Sequence, residues 1–233
     1  MEGHAPRFRE ELSRTYRAAG SPTLKKLVAR GGRRYALFHE AGDPAGLADA
    51  LRHIGDTWCG LGRPELAETA YQTAVTYYRM VNDTAGAAAV LGSLGTTHAA
   101  LGHLEEAIES LMTATDYAAL NRDVGGHIIG LFNLGLAFYS AGRSRESMEH
   151  LRAAERQARM FLYHEHLLGT VLLRLGLVLQ GRGRLRAAYT AFAESVDVFR
   201  ELGDAKRLAE AERTLTRLHR IMERRRLRRK RRR

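Results

Sequence analysis

"SLGTTHAALGHLEEAIESLMTA", residues 93–114, sets small and large side chains at fixed intervals. The pair Leu94–Gly95 is followed by Gly102, Ala107, Leu111 and Ala114. Nearly the same order stands 40 residues earlier in "HIGDTWCGLGRPELAETAYQTA", residues 53–74. Outward from these two stretches, the Leu/Ile-Gly pair occurs at Ile54–Gly55, Leu94–Gly95, Leu134–Gly135 and Leu175–Gly176, so the glycines are spaced by 40, 40 and 41 residues. Each is preceded at four residues by Leu51, Leu91, Leu131 or Leu172, and followed at seven by Gly62, Gly102, Gly142 or Gly183. Ala67, Ala107, Ser147 and Ala188 come twelve residues after the first glycine, and Tyr71, Leu111, Leu151 and Phe192 sixteen after it. A fixed period of this length is the mark of a stacked repeat.

The residue types explain the spacing. Each unit reads as a helix A, a tight turn at the second glycine, and a helix B. A glycine ends a helix in the left-handed conformation at little steric cost. The first glycine and the small residue twelve later allow two helices to approach closely. The bulky residue at plus sixteen is expected to fill the space between a unit and its neighbour. Asp43, Asp83 and Asp123 stand twelve before their glycines and are expected to cap helix A, with His164 in that place in unit four. Asp204 stands twelve before Thr216, so 204–223 reads as an unpaired helix A that closes the stack. No single unit buries its apolar face alone, which requires stacking.

This pattern resembles the tetratricopeptide repeat, whose motif runs Leu-Gly, an aromatic, then Ala and Phe. Trp58 and Phe138 match the aromatic position, and His98 and Leu179 depart from it. The resemblance spans about 44–220, in a form longer than the usual period of about 34 residues. That longer form is similar to the repeat arrays of bacterial transcriptional regulators and of animal polarity scaffolds. The fold it implies is all-α, a right-handed solenoid of antiparallel helix pairs with about four and a half repeats. Residues 44–223 are assigned to this solenoid, 1–43 to an N-terminal helical cap and 224–233 to a polybasic tail.

Within the cap, Phe8, Leu12 and Tyr16 share one helix face, and Ser21 and Pro22 are expected to start a short second helix. This resembles the opening of a helix-turn-helix domain, but "RRYALFHEAGD" offers no recognition helix, so a remnant or a plain packed cap is the expectation. Leu37 and Phe38 stand 40 before Tyr77 and Tyr78, which makes 33–41 the tail of a degenerate helix B.

The bulk numbers narrow the class. Hydrophobic residues make up 45% of 233, and one cysteine, Cys59, excludes an internal disulfide framework. The start "MEGHAPRFREEL" lacks a signal-like apolar run, and no stretch is long enough for a membrane span, so a cytoplasmic protein is expected. The net charge is +11, of which +8 sits in "IMERRRLRRKRRR", residues 221–233. That tail holds Arg224, Arg225, Arg226, Arg228, Arg229, Lys230, Arg231, Arg232 and Arg233. Two readings stay open: sequence-blind contact with nucleic acid or another anionic surface, or a solvated end. Like charges three and four apart repel, so the helix is expected to fray beyond Arg226.

No motif assembles a catalytic centre, and no enzyme activity or cofactor is expected. "YHEH" places His164 and His166 two apart, short of the three or four convergent ligands of a zinc site. "ARGGRR" and "GRGR" lack the phosphate-loop pattern. His98 is expected to be a buried, hydrogen-bonded packing residue.

If the resemblance holds, the A helices line the concave side, and inward positions lie three and two before the glycine and one and four after it. They run from polar (Arg52, His53, Asp56, Cys59) through small (Gly92, Ser93, Thr96, Ala99) to apolar: Phe132, Asn133, Leu136 and Tyr139, then Leu173, Arg174, Leu177 and Gln180. Arg213, Thr214, Arg217 and Arg220 make the last set basic. Such a gradient suits a protein or peptide ligand with apolar anchors and an acidic end. The alternatives are packing within the array and a homodimer. The family's carboxylate clamp is matched at Asn133 and Arg174 but lacks its lysines, and is not carried over.

Overall fold

The computed structural model describes residues 22–161 and 165–230, with side chains over 29–161 and 165–225. Phe8, Leu12, Tyr16, His164 and Arg231–Arg233 lie outside these. Every described element is a helix: α1 (Pro22–Ala41), α2 (Pro44–Gly60), α3 (Pro64–Met80), α4 (Thr84–Leu101), α5 (Leu104–Leu120), α6 (Val124–Ser140), α7 (Ser144–Met160), α8 (Glu165–Gly181), α9 (Leu185–Glu201) and α10 (Ala205–Lys230). They form two compact bodies, the first ending at Asn121 and the second starting at Arg122.

Each body contains two hairpins, α2/α3 and α4/α5 in the first, α6/α7 and α8/α9 in the second. The turn inside every hairpin is the same object. Gly62, Gly102, Gly142 and Gly183 take φ of 65°, 84°, 75° and 74°, and the next residue's N–H donates back to the carbonyl five residues earlier, as in His103 to His98 at 2.9 Å and Arg143 to Phe138 at 2.8 Å. This bond satisfies a carbonyl that the helix end leaves open. Asp43, Asp83 and Asp123 cap the A helices by accepting from the N–H of Gly46, Gly86 and Gly126 at 3.0, 2.8 and 2.9 Å. Asp204 caps α10 from the N–H of Arg207 at 3.0 Å.

The bulky residue at plus sixteen joins the next hairpin's core, Tyr71 with Val90 and Leu91 and Leu151 with Leu173 and Leu175, and has a second contact not anticipated. It packs on the first glycine of its own hairpin. A Cβ on Gly55 would stand 2.5 Å from the Tyr71 ring, on Gly95 2.5 Å from Leu111, on Gly135 2.6 Å from Leu151 and on Gly176 2.4 Å from Phe192. The glycine is therefore a socket, and the large side chain is its plug. Carbonyls of the residue at plus twelve lie close as well, Ala107 at 3.1 Å and Ser147 at 3.3 Å, which is the helix approach that the small residues permit.

Two expectations change. The short helix at Pro22 does not stop at Gly31–Gly32 but continues as α1 to Ala41. Tertiary contact overrides the poor helix propensity of glycine: Gly31 abuts Ile54, Tyr35 is buried, and Phe38 covers Gly46 as Tyr78 covers Gly86. The other change is α10, which does not fray at Arg226 but runs to Lys230. Arginine is a good helix former, each like-charge pair costs only about 0.2–0.5 kcal/mol, and cations at a helix C-terminus interact favourably with its dipole.

His98 is buried at 6% exposure, with Nε2 at 3.2 Å from Glu68 and Nδ1 at 3.3 Å from the Ser110 hydroxyl. It ties α3, α4 and α5 together where the motif calls for an aromatic ring.

Candidate ligand-binding face

In each body, consecutive A helices touch, α2 with α4 and α6 with α8. The positions flanking each socket glycine on these A helices are not themselves sockets, so the joint does not dictate their side chains. The two bodies use that freedom differently.

In the first body the face is a closed polar network. Arg52 lies between Asp49 and Asp56, at 3.5 and 3.9 Å. Tyr78 donates its hydroxyl to Asp49 at 2.6 Å, and Tyr71 to Asp56 at 2.8 Å. The Tyr78 bond holds the Asp49 carboxyl below its ordinary range, and burial together with that same bond pushes Tyr78 up to about 12. Burial and the Asp56 bond raise Tyr71 as well. Cys59 Sγ meets Thr97 Oγ1 at 3.4 Å across α2 and α4. Asp49 was not among the inward positions expected from sequence; the signal was its place three before Arg52, opposite Asp56 four after.

In the second body the corresponding positions carry Phe132, Asn133, Leu136 and Tyr139 on α6, and Leu173, Arg174 and Leu177 on α8. Phe132, Asn133, Leu136, Arg174 and Leu177 are half-buried, and Tyr139 is 44% exposed. Tyr139 reaches α8, where a Cβ on Gly181 would stand 3.3 Å from its hydroxyl. Leu173 departs from the expectation: it is 4% exposed and belongs to the packed cluster of Leu151, Leu175 and Phe192, so it supports the face from beneath. Arg174 Nε is buried with no hydrogen-bond partner, and the guanidinium has no ion pair among the described residues. Leaving such a donor unsatisfied costs about 1–3 kcal/mol, more when charged. The row then turns basic on α10, where Arg217 is exposed. Arg224 and Arg225 are exposed beyond it; Arg226, Arg228, Arg229 and Lys230 continue the helix backbone.

Among the described residues no three His, Cys, Asp or Glu side chains converge to hold a metal, and no helix is long and apolar enough to cross a membrane.

Stacked hairpins jointed by glycine, with a variable outer face on their A helices, define a helical-repeat protein. Residues 46–119 match the tetratricopeptide repeat family. Among solved structures, BtubC (BKLC) from P. vanneervenii is similar at 14% identity and a TM-score of 0.62, over 91% of this chain and 92% of that one. The apo form of RapI aligns at 12% identity and a TM-score of 0.74, over 88% and 73%. The Rap conjugation gene regulator of plasmid pLS20, in complex with the Phr* peptide, aligns at 14% identity and a TM-score of 0.59, over 80% of this chain and 58% of that one. No curated protein sequence matches the chain significantly. The fold is an all-α solenoid similar to repeats of the tetratricopeptide type, with the family match itself covering residues 46–119.

Proposed function

We propose that this protein is a non-catalytic scaffold that binds a peptide segment on the A-helix face of its second body, as a regulatory or signalling component. The observation that carries the reading is Arg174: a half-buried cation whose Nε has no hydrogen-bond partner and which has no ion pair among the described residues, in the same A-helix row as Phe132, Leu136 and Leu177. A carboxylate delivered by a ligand satisfies that donor, while apolar ligand side chains cover the leucines. The first body supports the assignment by contrast, since its cation is already held by two aspartates. The similarity in fold to a regulator whose structure holds a peptide supports the same class of ligand.

An anchor that becomes fully buried contributes about 1.5–3 kcal/mol. Three or four anchors supply roughly 5–12 kcal/mol gross, from which the ordering of a flexible peptide is deducted. Micromolar affinity, about −8 kcal/mol, is the expected range. The test is selection of peptides from a random display library on the full chain, followed by titration of the enriched peptides. They are expected to combine apolar residues with at least one acidic residue, and to lose affinity on Leu136→Asp and on Arg174→Gln. Enriched peptides that bind both variants as tightly as the parent would place the ligand elsewhere.

A further inference from the structure

The basic residues at the end of the chain form more than a tail. Lys206, Arg213, Arg217, Arg220 and Arg224 follow one another on α10 at helical spacing, and all are exposed. At 3.6 residues per turn they fall on a single stripe about 27 Å long. Neighbours three and four apart bring their Cβ atoms to about 5–6 Å. Arg207 and Arg200, off the stripe, are the ones that pair with the nearby acids, Asp204, Asp197 and Glu212. Glu223 stands beside His219, 3.5 Å away. Glu210 flanks the stripe as an exposed carboxylate near Arg213, beside Glu212. Arg217, Arg220 and Arg224 have no ion pair among the described residues. The opposite side of α10, through Leu208, Ala211, Leu215, Leu218 and Met222, is packed into the second body's core. The helix also outlasts its neighbour: α10 has 26 residues and α9 has 17, a difference of about 13 Å of rise.

We infer that this stripe is a docking surface for duplex DNA, bound through its phosphate backbone without base readout. The geometry selects this partner. A stiff, evenly spaced row of arginines complements a stiff, evenly spaced row of phosphates, and releases the duplex's condensed counterions. A helix that inserts into a membrane interface does so by an apolar face, and the apolar side chains of α10 are already buried. Stacking of single-stranded bases requires aromatic rings, and the stripe has none. The stripe includes Arg217, the basic end of the inward row, but does not depend on the peptide reading, so each can fail alone.

The test uses the full chain and a fluorescent mixed-sequence 30-bp duplex, followed by anisotropy from low to physiological salt. Log K is expected to fall linearly with log salt, by about 0.9 per phosphate contacted. The triple substitution Arg213→Glu, Arg217→Glu, Arg220→Glu is expected to weaken binding at least tenfold and to flatten the slope by about 2–3, with the helical circular dichroism spectrum retained. Arg145→Glu, Arg152→Glu, Arg186→Glu, an equal charge change at exposed sites off α10, is expected to change binding less than threefold. Phe132→Ala is expected to leave it unaltered. Equal loss in the two triple variants reduces the effect to net charge and overturns the proposal. So does binding that survives the stripe triple but vanishes on deletion of 224–233, or tighter binding to a single strand, to polyglutamate or to phosphatidylserine vesicles than to the duplex.

Discussion

The two bodies share one joint and differ on one face. In both, a large side chain plugs a glycine socket, Tyr71 on Gly55 in the first and Phe192 on Gly176 in the second. On the A-helix face the first body has satisfied its charges internally, with Arg52 between Asp49 and Asp56 and both carboxylates bonded to tyrosines. The second presents leucines, Phe132 and a cation with no ion pair among the described residues. The repeat fixes the buried side of each helix and leaves the outer side to function. A face that has settled its own polar groups has less to gain from a ligand than one that has not.

The largest expected effect tests the shared joint. Gly55→Val and Gly176→Val each drive a branched side chain into an aromatic ring 2.5 or 2.4 Å from the new Cβ. Overpacking of this kind costs about 1–3 kcal/mol, or roughly 2–12 °C in Tm for a chain of this size. Gly92→Val is the control, because a Cβ there meets nothing within 4 Å. Thermal melts followed by circular dichroism check all three. An unchanged Tm in either socket variant breaks the claim that the two bodies share a joint.

Next comes the face. Asp56 and Leu136 occupy the same register, one residue after the socket glycine. Leu136→Ala is expected to weaken a selected peptide about tenfold, the loss of part of one anchor, whereas Asp56→Ala is expected to change its affinity less than twofold. Calorimetric titration of both variants sharpens the contrast, and equal losses erase it.

How much of this was legible beforehand follows from what each residue does. The sockets, the left-handed turns and the aspartate caps were readable because each rests on a local demand: no room for Cβ, a positive φ, an open N–H. That the plug also seats on its own hairpin's glycine was not, since a spacing of sixteen residues does not say which neighbours Tyr71 meets. The course of α1 through Gly31–Gly32 was hidden because Ile54 and Gly46, distant in sequence, decide it. Leu173 illustrates the limit at the site. Its register matches Phe132, yet it is buried while Phe132 is not fully so, because exposure depends on what packs around α8. The unpaired state of Arg174 needed coordinates as well; a sequence shows an arginine but not the absence of its partner.

Smaller effects separate the two arginines. Arg174→Met replaces an unsatisfied, partly buried donor by an apolar chain of similar reach, so stability is expected to hold or rise by up to about 1 kcal/mol, while affinity for an acidic peptide falls. Arg52→Met removes the cation between two carboxylates, and stability is expected to drop by about 0.2–1 kcal/mol. Denaturant melts that give both variants the same sign contradict the comparison.

A further effect of similar size lies within the first body. Tyr78→Phe removes the hydroxyl bonded to Asp49, at a net cost of about 0.5–1.5 kcal/mol near neutral pH. Because the bond lowers the Asp49 pKa in the folded state, the stability it brings is present above the unfolded carboxyl's value, about 3.9. It is lost as pH falls through the folded value. The gap between parent and variant is therefore expected to close in acid, and carboxyl titration by NMR should show the Asp49 pKa rising in the variant.

Hydrogen–deuterium exchange on the full chain, with and without a selected peptide, tests the central claim most directly, because it reports where backbone opening is suppressed. Protection confined to α6 and α8, with α2 and α4 unchanged, is the result this account predicts. Protection centred on α2 and α4, or on the B helices α3, α5, α7 and α9, would contradict it.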